Sequence, residues 1–96
     1  MTLAEFNTSL QHSTPPPGLT PLLLALWYDA KGDWHRSHVI IQDIETKEAT
    51  LIHAYLHRKE GDIWNADYWY SRSGRMRPEA SLQAEFAEVL KLVLHN

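Results

Sequence analysis

The chain has 96 residues, 44% of them hydrophobic, no cysteine and a formal net charge of −3. A chain of this length forms one domain that buries roughly 60 to 65% of its unfolded surface, with no room for a second. Disulfides and thiolate metal ligands are excluded, a reducing cytoplasm suits the composition, and the negative balance argues against a general nucleic-acid binder, whose phosphate contacts need a basic face.

Taken in chain order, Thr2 followed by Glu5 forms a capping-box pattern, and Leu3, Phe6 and Leu10 fall on one helical face. A short N-terminal helix is expected. Met1 to Gln11 has neither a basic start nor a long apolar core, and the longest apolar run, Leu22 to Tyr28, cannot span a bilayer. A soluble, cytoplasmic protein without a membrane segment is expected. Pro15, Pro16 and Pro17 remove backbone donors and favour an extended chain, so residues 1–19 divide into that helix and a linker.

Thr20 reads as an N-cap with Pro21 at the first helical position, starting a helix that runs to Lys31; a second follows from Trp34 to Asp43. Together they make hairpin one, 20–44. Thr46 caps a third helix, Lys47 to Glu60, and Asp62 a fourth, Ile63 to Ser73, which Gly74 closes. These make hairpin two, 46–74. Either Pro78 or Ser81 opens a final helix, within 78–96, on which Leu82, Phe86, Val89 and Val93 recur at helical spacing while Leu90, Leu92 and Leu94 widen the stripe. The expected fold is all-α: two stacked antiparallel hairpins, a short N-terminal helix and a C-terminal capping helix, with no strand.

The two hairpins repeat a motif. Ala25 to Lys31, Gly32, Asp33 is matched 29 residues later by Ala54 to Glu60, Gly61, Asp62. Glycine can adopt the left-handed conformation that ends one helix, and the aspartate that follows can cap the next. Around the second turn stand Ala66, Tyr70, Ser73 and Pro78; around the first, Ser37, Ile41 and Ile44 take the inner positions and Ala49 stands where the proline would be. Small residues let helices approach and the aromatic fills the space beside them.

Asp62, Ala66, Trp69 and Tyr70 resemble the second helix of tetratricopeptide and Sel-like repeats, a likeness that extends over about Thr20 to Pro78. The repeat is shorter than that family's, and His53 and His57 stand where it packs apolar or aromatic residues. The layout, from the Pro-rich segment through His53–Asp62 and Asn65–Arg72, is also similar to a group of short bacterial proteins with no assigned function. These resemblances imply stacked helical hairpins, a bacterial source and a non-enzymatic module that binds a protein or peptide.

Three constellations could carry chemistry. His53 and His57 share a helical face with Glu60 one turn beyond, and with His35 and His38 they could complete a four-ligand metal cluster or a hydrolytic site. No Glu follows His53, where a zinc-protease helix needs its general base. The first expectation is therefore that these histidines are structural, bind no metal, and hydrogen-bond to Tyr28, Tyr68, Tyr70 or backbone carbonyls. Arg72, Arg75 and Arg77 beside Trp69 and Tyr70 could recognise an anion such as a phosphate; the plainer expectation is surface pairing with Asp67, Glu79 or Glu85. Tyr68, Trp69 and Tyr70 are consecutive on a helix and cannot all face inward.

Asp29, Lys31, Arg58, Lys59 and Glu60 read as solvated helix faces. No sequence signature calls for a cofactor or names a reaction. Candidate ligand-binding residues are thus His53, His57, Trp69, Tyr70, Arg72 and Arg75. The wide stripe on the final helix and the cluster Leu22, Leu23, Leu24 and Leu26 suggest apolar surface left over for a two-fold homodimer, unless the N-terminal helix folds back and seals it.

Overall fold

The computed structural model describes residues 1–95, so the last residue of the expected final segment, at position 96, lies outside the described residues. Among the described residues six helices follow in order: α1 (Leu3–Ser9), α2 (Pro21–Ala30), α3 (Trp34–Ile41), α4 (Lys47–Glu60), α5 (Ile63–Ser73) and α6 (Leu82–Leu94). Among the described residues there is no strand.

Each helix starts where a short polar side chain satisfies a free backbone N–H. Thr2 and Glu5 form the reciprocal capping box, and Thr20, Asp33, Thr46, Asp62 and Ser81 each accept from the amide three residues on. Ser81, rather than Pro78, opens α6. Gly32 and Gly61 take φ of 88° and 91°, the left-handed geometry that turns α2 into α3 and α4 into α5. The α3 helix stops at Ile41, with Gln42 as its C-cap, slightly short of the Asp43 expected.

α2 packs on α3 and α4 on α5, while α4 also packs against α2, α3 and α6. The α4 helix is accordingly buried over the whole run Leu51 to His57. Ala25, Ala54, Ala66 and Ser37 are fully buried, as close approach between helices requires.

Two sequence expectations change here. Asp29 and Arg58 do not lie on solvated faces. Asp29 is 1% exposed and accepts from Lys59 Nζ at 2.9 Å, while Arg58 Nη1 donates at 2.7 Å to Glu85, itself buried, and Nη2 to the Ala80 carbonyl. Tyr70 Oη completes the second cluster with a 2.5 Å bond to Glu85. Both ion pairs lock neighbours onto α4, one from α2 and one from α6.

Part of the apolar surplus behind the dimer expectation packs within the chain, while Leu22, Leu24, Leu82, Phe86, Leu92 and Leu94 stay half-buried. Leu90, Val89 and Val93 are buried, and α6 packs on α1, α2 and α4. The N-terminal segment folds back: Phe6 is fully buried, Trp27 Nε1 donates to Ser9 Oγ at 3.1 Å, and Lys31 Nζ donates to the carbonyls of Leu10 and His12. No helix among the described residues is long and apolar enough to cross a membrane.

Candidate metal centre

His53 and His57 sit one turn apart on the face of α4 that meets α3 and α5, and His38 reaches them from α3. The three imidazole centroids form a nearly equilateral triangle with sides of 4.7, 4.8 and 5.1 Å. One ring nitrogen from each lies within 4.8 Å of the other two. The closest approach is His38 Nε2 to His53 Nε2, 3.0 Å, a distance at which two imidazoles share one proton. Zinc–nitrogen bonds of about 2.0–2.1 Å in a tetrahedron place ligand nitrogens about 3.3 Å apart, so small side-chain adjustments would bring this triangle around an ion.

Two tryptophans hold the rings edge-inward. Trp34 stacks on His38 at 5.0 Å with the planes 9° apart, and its Nε1–H donates to the Leu56 carbonyl at 2.7 Å, fixing the start of α3 against α4. Trp69 stacks on His53 at 3.9 Å and 18°. On the far side of His57, Nδ1 donates to Glu60 Oε2 at 2.6 Å. That bond selects the tautomer in which Nε2 carries the lone pair, the carboxylate–histidine arrangement common behind metal ligands. Asn65 Nδ2 lies 3.4 Å from His57 Nε2.

Electrostatics favour neutral ligands. Burial first, then the neighbouring imidazoles His38 and His57, push the His53 pKa down to about 4. His38 is lowered by burial and by His57, against a smaller opposing pull from Glu60. At neutral pH both rings are uncharged and able to coordinate.

Not every candidate residue converges here. His35 is exposed and outside the group, so the four-histidine cluster reduces to three. The partners of His53 and His57 are other imidazoles, Glu60 and Asn65, not Tyr28, Tyr68 or Tyr70. Trp69 joins the site, whereas Tyr70 is buried against Glu85. The arginines separate: Arg72 lies over the rings of Tyr68 and Trp69, and Arg77 pairs with Asp67 at 2.9 Å. Arg75 lines a groove of about 660 Å³ against α6, together with Met76, Val89 and Leu92.

Two participants escaped the sequence reading. Trp34 and Asn65 carried no signal beyond their places beside Asp33 and Asp62, whereas Glu60 was read both as one turn past His57 in the histidine constellation and as a solvated charge. The chain matches no protein-family model, and neither the curated proteins nor the solved structures include a significant match.

Proposed function

We propose that this protein is a small helical metal-binding protein whose site is formed by His38, His53 and His57. The observation that carries the reading is the convergence of three imidazoles from two helices, with His57 backed by Glu60. Imidazole triads suit zinc, copper, nickel and cobalt, and three neutral ligands leave the ion's charge to attract a further donor. Zinc fits best, because it tolerates the tetrahedral arrangement that the triangle approaches. Protein prepared without a histidine tag and stripped with chelator should take up one equivalent of Zn²⁺ in a competition titration. Uptake should vanish in His57→Ala. Substoichiometric binding that is the same in wild type and variant would return these histidines to a purely structural role.

A second reading draws on a different face. On α5, Trp64 is 82% exposed and Tyr68 47%, and with Arg72 they follow one another at four-residue spacing. Such a stripe supports a peptide- or protein-binding module, and the pairing of α2 with α3 and α4 with α5 across matching Gly-Asp turns supports a tetratricopeptide-like arrangement. The two readings are compatible, since Trp69 on α5 stacks on the metal ligand His53.

A further inference from the structure

Resting on the metal-site reading, we infer that the ion keeps one exchangeable position, for water or a small anion, and that Asn65 positions whatever occupies it. Three observations lead there. First, among the described residues no fourth His, Asp or Glu joins the triad, and the chain has no cysteine to offer. Three protein ligands are the pattern of zinc sites that retain a solvent-derived fourth ligand, whereas structural sites close with four.

Second, the neighbouring carboxylates are occupied elsewhere. Glu60 accepts from His57 Nδ1, on the side of the ring away from Nε2. Asp62 caps α5, accepting from the Asn65 amide at 3.3 Å, and its other oxygen takes the Asn65 side chain at 3.4 Å. Neither joins the three imidazoles: both lie near His57 alone.

Third, a polar donor stands beside the metal-facing nitrogen. Asn65 Nδ2 lies 3.4 Å from both His57 Nε2 and Asp62 Oδ2, two long contacts that leave this half-buried amide free to take a better acceptor. An ion taking the Nε2 lone pair removes that acceptor and leaves the amide N–H aimed at the ion's next ligand. An N–H there stabilises a negatively charged oxygen or nitrogen and disfavours a cationic one. The ligand class is therefore hydroxide, a carboxylate, a phosphate oxygen or another small anion, and Asn65 is a positioning residue that leaves the ion itself to its three imidazoles.

Cobalt(II) in place of zinc makes this measurable, with azide as the anion. Wild-type protein carrying one equivalent of Co²⁺ should shift its visible bands on addition of azide and saturate at one azide per cobalt. Asn65→Ala should bind cobalt with the same stoichiometry but azide about tenfold more weakly or worse, and Asn65→Asp should weaken azide further by repulsion; a hydrogen bond to a charged ligand has this size. Cobalt bound at one equivalent with bands that ignore azide would mean a closed site and would overturn the inference alone. Equal azide affinity in wild type and Asn65→Ala would overturn the role of Asn65. Failure to bind cobalt at all would overturn the metal reading and this inference with it.

Discussion

His57 makes the same bond twice over in function and in fold. Its Nδ1–H to Glu60 is an i,i+3 contact that steadies the last turn of α4, and the same bond sets which nitrogen can meet an ion. Glu60→Gln keeps the shape and removes the charge, so zinc affinity in a chelator competition should fall about 10- to 100-fold with stoichiometry unchanged. The lowered pKa of His53 makes a separate prediction for the metal-free protein. The unfolded chain takes up this proton near pH 6.5, whereas the folded ring resists until about 4. Between those values the unfolded state holds more protons, so stability is fully present above pH 6.5 and falls as the pH drops through the window. The loss reaches up to about 3 kcal/mol at 1.36 kcal/mol per unit. Urea midpoints at pH 7 and pH 4.5 should show it, and His53→Gln should flatten the difference.

At the scale of elements, α4 holds the molecule together and α3 and α5 decorate it. It carries two of the three histidines and both cations that neutralise buried carboxylates, Lys59 for Asp29 and Arg58 for Glu85. Removing one partner of a buried pair leaves the other charge stranded, so Arg58→Met should destabilise by about 3–5 kcal/mol. Replacing the N-cap in Asp62→Ala should cost only about 1 kcal/mol. Chemical denaturation of the two variants should rank them in that order. The helix starts were legible in the sequence because a cap acts over three residues, and Thr20, Asp33, Thr46 and Asp62 carry their partners beside them. The His53–His57 pair was legible too, since four-residue spacing alone puts both on one face. Trp34 and Asn65 were not, and the sequence offered His38 only beside His35 without a way to choose between them: which residues of α3 and α5 meet α4 depends on how far the Gly-Asp turns rotate each helix, and no local pattern encodes that. The burial of Asp29 and Glu85 was hidden for the same reason, because their partners lie 30 and 27 residues away.

For the molecule as a whole, the position of the histidines matters more than their number. His38 belongs to the pair α2 and α3, and His53 and His57 belong to the pair α4 and α5, so one ion would join the two halves at a seam where α3 meets α4 less extensively than α2 meets α3. Binding to the folded state alone stabilises by an amount set by the ratio of free metal to its dissociation constant, about 2.7 kcal/mol at a hundredfold excess. For a domain of this size each kcal/mol moves the melting temperature by about 4–8 °C, so saturating zinc should raise it by about 10 to 20 °C. Three arms separate this from nonspecific cation effects. Calcium or magnesium, which prefer oxygen ligands, should leave the melting temperature where it is. His38→Ala should abolish the shift although both α4 histidines remain, because the bridge between the halves is gone. Chelator should restore the metal-free value in the wild type. A zinc-induced rise that survives His38→Ala would place the ion at the turn between α4 and α5, within His57, Glu60 and Asp62, and the seam would then have to be held by packing between α3 and α4 without help from an ion.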